Sequence, residues 1–157
     1  MRHHLDHFEI IRVDETDSTN NAIRHYEHSQ GKEFLVLSAE YQTGGKGQRG
    51  NSWESERGKN LLFSISCYPT FMSAHQQFLL SQAISLSIYD VFRRFIRRFS
   101  IKWPNDIYWR EKKMGGILIE NDLSGSYIAR SIIGVGLNIN QTEFHSDAPN
   151  PVSLLQV

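Results

Sequence analysis

The residues best suited to chemistry lie in two short segments of the sequence. The first is the glycine-rich segment 39–53, AEYQTGGKGQRGNSW, in which Lys46 and Arg49 stand among glycines and side-chain amides. The second is the segment 102–106, KWPND, which begins with Lys102. Glycines allow backbone N–H groups to turn toward an oxyanion, and the cations add positive charge. Together the two segments predict a site that binds and activates an anion.

Two better-known glycine motifs fit this loop less well. Gly45, Gly47 and Gly50 have the spacing G-x-G-x-x-G of dinucleotide-binding proteins, but that motif requires a helix that opens at the third glycine. Residues 51–58, NSWESERG, have no helical spacing of apolar residues. A P-loop requires Ser or Thr directly after its lysine, and Lys46 is followed by glycine. Two interpretations remain, a loop that closes over a ligand and excludes water, and a surface loop that binds nothing.

Composition limits the class of protein. The chain has 157 residues, of which 39% are hydrophobic and 22% charged, as in a single globular domain with one core. Its 17 basic and 17 acidic residues balance, without the basic excess of nucleic-acid-binding proteins. No signal peptide or membrane span is recognisable. Cys67 is the only cysteine, so no intramolecular disulfide is expected, and His3, His4 and His7 lack the paired spacing of a metal site. We expect a cytoplasmic protein.

The spacing of apolar residues predicts strands and helices in alternation. Strands are expected at 8–13, 34–39, 60–68, 101–103, 107–109, 116–120 and 127–137. One helix is expected from Ser18 to about His28, ended by Gly31. A second is expected over 73–98, with one apolar face that comprises Leu80, Ile84, Ile88, Val91 and Phe95. Segments 111–113 and 122–125 are expected to be hairpin turns. This pattern predicts an α/β protein with a mixed sheet and helices packed against it.

Five segments, in order along the chain, resemble those of the biotin protein ligases. They are 17–20 (DSTN), 39–53, 102–106 (KWPND), 113–120 (KMGGILIE) and 134–140 (GVGLNIN). The glycine-rich loop combined with KWPND is the specific pair, since DSTN alone equally describes a helix N-cap. The resemblance implies the mixed α/β fold of biotin/lipoate ligase catalytic domains, which is similar to that of class II aminoacyl-tRNA synthetases.

The resemblance also implies a two-step ligase reaction. The carboxylate of biotin attacks the α-phosphate of ATP, with Mg²⁺ as the accompanying cation, and forms biotinyl-5′-AMP and pyrophosphate. A lysine amine of a biotin carboxyl carrier protein then attacks the acyl carbon and releases AMP. Such chemistry depends mainly on positioning and charge stabilisation. A homodimer is a further expectation, whereas nucleic acid and membrane are not expected partners.

Particular residues acquire roles from the same resemblance. The residues expected to bind biotin are Ser18, Thr19, Asn20, Gln42, Gly45, Gly115 and Gly116. The residues expected to bind ATP and the adenylate are Lys46, Gly47, Gln48, Arg49, Trp53, Lys102 and Asn138. Lys46, Arg49 and Lys102 are the expected catalytic cations, and the role of Asp106 is left open between supporting Lys102 and binding a metal ion. Without the resemblance, Ser18 and Thr19 would be interpreted as helix-capping residues, Lys102 as a solvated lysine and Trp53 as a core residue.

The chain also departs from the family pattern. Arginine is common in the family where this chain has Lys46 and Gln48, and Gln48 removes a charge at a position linked to retention of the intermediate. We therefore expect Gln48→Arg to slow the escape of biotinyl-AMP.

Length is the second departure. The expected domain spans 1–157, lacks the end of the family's catalytic domain and its SH3-like barrel, and has no amino-terminal helix-turn-helix. Alternatives are a truncated, non-catalytic biotin-binding remnant and a lipoate-type ligase. A nucleic-acid-binding module based on the arginines between 93 and 98 is disfavoured.

Overall fold

Seven strands of the described chain form one mixed sheet. The computed structural model describes residues 7–146 and 148–157. Its strands are β1 (Phe8–Thr16), β2 (Phe34–Gln42), β3 (Asn60–Cys67), β4 (Phe99–Lys102), β5 (Asp106–Trp109), β6 (Lys112–Ser124) and β7 (Tyr127–Asn138). They are arranged in the order β1-β2-β3-β7-β6-β5-β4. Only β1 and β2 of these pair in parallel, and the other neighbours are antiparallel. The predicted mixed sheet is confirmed.

The helices are shorter than the sequence predicts. α1 (Thr19–Ala22) continues as a 3-10 turn over Ile23–His25, so it ends before the predicted His28, and Gly31 lies in a separate turn with a φ of 79°. α2 (Phe78–Phe92) follows a 3-10 turn over Ala74–Gln76. Further 3-10 turns comprise Gln48–Gly50 and Leu154–Gln156.

The apolar face predicted for the long helix is partly wrong. α2 presents Ser85, Ile88 and Phe92 to the core, whereas Val91 and Phe95 are 50% and 70% exposed. Since the helix ends at Phe92, Phe95 lies beyond it, and the helical period no longer sets the direction of its side chain. The turns also shift by a residue or more, because the hairpins turn at 110–111 and 125–126.

The two faces of the sheet differ in what covers them. The helix face, packed by α2, carries the main core, with buried residues such as Ile107, Ile133, Val135 and Leu137. On the cavity face, a smaller cluster of Ile23, Leu35, Leu37 and Ile132 lies beneath α1 and the turn that follows it. Neighbouring residues of one strand, such as Ile132 and Ile133, serve opposite faces because side chains alternate along a strand.

The sequence predicts no membrane-spanning helix and no metal site at His3, His4 and His7. Within residues 7–146 and 148–157, no helix is long and apolar enough to cross a membrane. The same residues contain no cluster of three or more histidine, cysteine or acidic side chains that could hold a metal ion. His3 and His4 lie outside the described residues.

Candidate active site

A cavity of about 350 Å³ lies on the cavity face of the sheet. Its walls come from the start of α1, the glycine-rich loop between β2 and β3, the segment between β4 and β5, and strands β6 and β7. The lining residues are Ser18, Thr19, Asn20, Gln42, Lys46, Gly47, Gln48, Arg49, Asn51, Ser52, Trp53, Trp103, Pro104, Asn105, Asp106, Lys113, Gly116, Ile117, Leu118, Gly134, Val135 and Gly136. The segments singled out from the sequence therefore surround a single cavity.

One end of the cavity is made of buried polar side chains that bond to one another. Gln42 Oε1 accepts hydrogen bonds from Thr19 N at 2.7 Å and Thr19 Oγ1 at 3.1 Å. Ser64 Oγ lies 2.8 Å from Thr19 Oγ1 and 2.6 Å from Asn20 Oδ1. Ser18 is at the N-cap position, yet its side chain makes no capping hydrogen bond. This end can therefore offer both donors and acceptors to a neutral polar head group.

Gly134 is required for this polar end to form. A Cβ at Gly134 would lie 2.3 Å from Asn20 Oδ1, so any other residue there would displace the Asn20 amide from its partners on this face of the sheet. Asn20 is further held by Glu120, whose Oε2 accepts a 2.8 Å hydrogen bond from Asn20 Nδ2. Asn20 is only 3% exposed, and its orientation is fixed from both sides.

The indole of Trp53 covers two glycines at the other end. A Cβ at Gly136 would lie 2.5 Å from Trp53 Cε2, and one at Gly116 would lie 3.4 Å from Trp53 Cζ3. The buried Nε1 of Trp53 has no hydrogen-bond partner among the described residues. A buried N–H group is normally paired, so Trp53 leaves an unsatisfied donor in the cavity wall.

Lys113 provides a cation within the cavity that the sequence interpretation missed. Its Nζ lies 2.9 Å from Asp106 Oδ1, and both side chains are about one quarter exposed. The spacing of apolar residues predicted Lys113 in a hairpin turn, whereas the family resemblance included it in the segment 113–120, and neither gave it a role in the site. In the structure it belongs to β6, and its backbone pairs with the segment 150–152 through Lys113 N to Asn150 O and Val152 N to Lys113 O, each 2.9 Å.

A β-bulge is what turns Lys113 toward the cavity. Ile107 pairs with Gly115, but Tyr108 pairs with Lys113, so one residue of β6 is left without a partner in β5. The bulge puts Lys113 on the same face as Gly116, although strict alternation would place them on opposite faces. The only sequence signal for a role of Lys113 was its place at the start of the KMGG motif, and this motif does not reveal that the strand contains a bulge.

Lys102 lies on the same face but outside the cavity wall. It pairs with Asp106 across β4 and β5, its Nζ lies 5.0 Å from the centroid of the Tyr108 ring, and its side chain is exposed. Three other predicted residues do not line the cavity either, namely Gly45, Gly115 and Asn138. A Cβ at Gly45 would lie 2.4 Å from Trp53 O, and one at Gly115 would lie 2.6 Å from Leu137 Cδ2. Asn138 Nδ2 donates to Val152 O at 3.3 Å.

The remaining predicted residues line the cavity. They are Ser18, Thr19, Asn20, Gln42, Lys46, Gly47, Gln48, Arg49, Trp53 and Gly116. The binding and catalytic roles expected of all these residues stay predictions. Arg49 is exposed and has a φ of 56°, so the loop places its side chain at the mouth rather than the floor.

Two carboxylates close to the glycine-rich loop each accept several hydrogen bonds. Asp17 Oδ2 accepts a 2.5 Å hydrogen bond from Asn21 Nδ2, which together with bonds from Ser18 and Thr16 outweighs partial burial and lowers the pKa of Asp17. Glu54, directly after Trp53, accepts from Ser146 N at 2.7 Å and His145 N at 2.8 Å. Partial burial raises the pKa of Glu54, but these hydrogen bonds outweigh it, and the net pKa is lowered.

Comparison with known proteins identifies the family. The sequence profile of the Biotin/lipoate A/B protein ligase family matches residues 11–138, and the chain belongs to that family. Within it, the chain is similar to biotin protein ligases. It is 31% identical to the biotin–[acetyl-CoA-carboxylase] ligase of Mycobacterium tuberculosis, over 78% of this chain and 46% of that protein. It is 35% identical to the bifunctional ligase/repressor BirA of Escherichia coli, over 64% of this chain and 32% of that protein.

Solved structures agree with the sequence comparison. The biotin protein ligase of Aquifex aeolicus, in complex with biotin and ATP, matches with a TM-score of 0.74 and 32% identity, over 92% of this chain and 59% of that one. The resemblance and the mixed α/β fold class predicted from the sequence are therefore confirmed. The first of the curated relatives are matched over about a third to a half of their length.

Proposed function

We propose that this chain activates biotin with ATP to form biotinyl-5′-AMP and transfers the biotinyl group to a lysine of a biotin carboxyl carrier protein. The observation that carries the proposal is the division of one cavity into a buried polar end and an end with cations and an exposed glycine-rich loop. A ligand with a neutral polar head and an acidic tail fits that division. Membership of the family and similarity to the biotin- and ATP-bound Aquifex protein support it.

The polar end suits the ureido ring of biotin. Thr19 already occupies both lone pairs of Gln42 Oε1, which leaves the Gln42 amide N–H groups and the Ser18 hydroxyl to meet the ring. Lipoate would place an apolar dithiolane there and leave these buried groups unpaired, which is costly. The polar end therefore favours biotin over the lipoate-type alternative.

The opposite end suits activation of a carboxylate. An oxygen of the biotin carboxylate attacks the α-phosphorus, the bond from that phosphorus to the bridging oxygen breaks, and pyrophosphate leaves. Lys113 on the floor and Lys46 and Arg49 in the loop would stabilise the developing negative charge. Lys102 would contribute only after turning away from Tyr108. The indole of Trp53 would cover the nucleotide.

Mg²⁺ is expected to enter with the nucleotide. Asp106 is the one carboxylate among the described residues that line the cavity, and it is already paired with Lys113. Magnesium in nucleotide sites is commonly held by one or two carboxylates and by the substrate phosphates. The donor set fits a cation bound mainly by the phosphates of ATP, with Asp106 as the available protein ligand.

The transfer step needs no protein nucleophile. The acceptor lysine, as the free amine, attacks the acyl carbon, the mixed anhydride bond breaks, and AMP leaves. Cys67 is buried in β3 within the core on the helix face, and burial raises the pKa of its thiol, so it takes no part. A homodimer and a cytoplasmic location stay predictions from the sequence.

The first experiment incubates the chain with biotin, ATP and Mg²⁺, with lipoate in a parallel reaction, and detects acyl-adenylates by mass spectrometry. Biotinyl-AMP without lipoyl-AMP is the expected result. A carrier protein is then added, and a biotinyl-lysine is expected by peptide mapping. Saturable binding of biotin without adenylate would overturn the proposed activity in favour of the non-catalytic alternative.

A further inference from the structure

Asn21 joins a cation of the glycine-rich loop to a carboxylate at the start of α1. Lys46 Nζ donates to Asn21 Oδ1 at 2.5 Å, and Asn21 Nδ2 donates to Asp17 Oδ2 at 2.5 Å. The orientation of the amide follows from chemistry, since a lysine ammonium can only donate and an ionised carboxylate can only accept. Asp17 is held in turn by Ser18 N, which donates to its Oδ1 at 2.6 Å.

Several other bonds of this loop use its backbone. Thr43 N and Gly44 N donate to the carbonyls of Thr16 and Asp17 at the beginning of the loop, at 2.9 and 2.8 Å. Within the loop, Gly47 N donates to Asn51 O at 2.7 Å and Trp53 N to Gly45 O at 2.8 Å. The bond from Lys46 to Asn21 instead connects a charged side chain of the loop to the α1 wall of the cavity.

Because position 46 is a lysine, the contact with Asn21 can fix a charged group that would otherwise be mobile. An arginine presents a planar fork whose geometry is fixed in advance, whereas a lysine ammonium is a point charge on a flexible stem. The stem loses rotamer freedom when the ammonium is held in one place. Because Asn21 already fixes the ammonium, that ordering does not have to occur when the ligand is enclosed.

We propose that Asn21 is a positioning residue, which holds Lys46 against the α1 wall and thereby keeps the glycine-rich loop closed over the bound acyl-adenylate. The inference rests on the proposed function. Asn21 touches no substrate, and it acts through Lys46. Asp17 completes the chain of contacts by fixing the amide of Asn21.

The test measures the release of biotinyl-AMP from its preformed complex with the chain, chased with excess unlabelled ligand. Asn21→Ala is expected to release it about 10-fold faster. Asn21→Ser, whose hydroxyl is too short to reach both partners, is expected to behave in the same way. Asn140→Ala removes an exposed asparagine outside the cavity and is expected to leave the release rate unchanged.

A double-mutant cycle separates positioning from a general structural effect. Lys46→Ala is expected to speed release, and adding Asn21→Ala to it is expected to cause no further change, because the residue through which Asn21 acts is gone. Multiplicative effects of the two substitutions would overturn the inference. An unchanged release rate in Asn21→Ala, with normal retention by the wild type, would overturn it while leaving the proposed function intact.

A second measurement needs no ligand. Because the hydrogen bond from Asn21 is the largest cause that lowers the pKa of Asp17, Asn21→Ala is expected to raise that pKa, measured by carbon-detected NMR titration of the Asp17 carboxyl group. An Asp17 titration identical in the two proteins would show that the contact is absent in solution and would overturn the inference. If the wild type fails to bind biotinyl-AMP at all, the proposed function falls and the inference falls with it.

Discussion

Where strands β3 and β7 pair over 64–65 and 133–134, their two faces are built from alternate residues of the same backbone, yet they have opposite characters. On the helix face, Ile65, Ile133 and Val135 pack with α2 into the main core. On the cavity face, Ser64 is fully buried among polar partners, and Gly134 and Gly136 leave room for Asn20 and Trp53. The apolar face therefore stabilises the fold, and the other face provides the groups that can bind a ligand.

This contrast indicates that the helix face contributes mainly to stability and the cavity face mainly to binding and catalysis. Burying apolar side chains on the helix face is favourable in proportion to the area removed from water. Burying serine and asparagine on the cavity face is tolerated only because each is hydrogen-bonded. We therefore expect substitutions on the cavity face to change binding and catalysis more than stability, and substitutions on the helix face to do the reverse.

The largest effect is expected from Lys113→Gln on the cavity face. The change removes a positive charge where negative charge develops on the phosphate, and the rate of biotinyl-AMP formation is expected to fall about 100-fold to 1,000-fold. The rate is measured in single-turnover reactions at saturating biotin and ATP. Unfolding by urea should show a much smaller change.

Lys112→Gln is the matched control, because Lys112 is the exposed neighbour in the same strand and does not line the cavity. Its adenylation rate is expected to equal that of the wild type. If Lys102→Gln reduced the rate strongly while Lys113→Gln did not, the catalytic cation would be Lys102, and the bulge of β6 would have no catalytic role.

A smaller effect on recognition is expected from Gly134→Ala. The added Cβ would lie 2.3 Å from Asn20 Oδ1, so Asn20 must shift and its contacts with Ser64 and Glu120 must weaken. The affinity for biotin, measured by calorimetry, is expected to fall about 10-fold to 100-fold.

Ile133→Ala, one residue earlier, tests the helix face. Ile133 is 3% exposed, and its truncation is expected to reduce the free energy of unfolding by about 2–5 kcal/mol while leaving biotin affinity unchanged. If Gly134→Ala destabilised the fold as much as Ile133→Ala, and Ile133→Ala weakened biotin equally, the division between the two faces would not hold.

The smallest effect concerns the pH dependence of Glu54. Its pKa is lowered in the folded protein from an ordinary value near 4.5, so its contribution to stability is present above that value and lost as the pH falls through the folded pKa. At pH 7, Glu54→Gln is expected to cost about 1 kcal/mol. Urea unfolding of both proteins should show the difference shrinking below about pH 4, and a difference that stayed constant down to pH 3 would contradict the assignment.

Much of the strand pattern could be predicted because it is a local property. The alternation in β3 and the apolar run of β2 are visible in short windows of sequence. The end of α2 was misjudged because a helix end depends on where the chain must turn to enter β4. The apolar residues continue past Phe92, and nothing local in them requires the helix to stop there.

The sequence by itself determined the family and the order of the motifs, and it named ten of the residues that line the cavity, because these follow from residue types at fixed spacings. Only the tertiary structure decided that Lys113 faces the cavity while Lys102 turns toward Tyr108, since the register of β5 and β6 includes a bulge. It also decided that Asn20 requires a glycine at position 134 and that Asn21 holds Lys46. These contacts join residues far apart in the chain, and their geometry is set by how the sheet pairs.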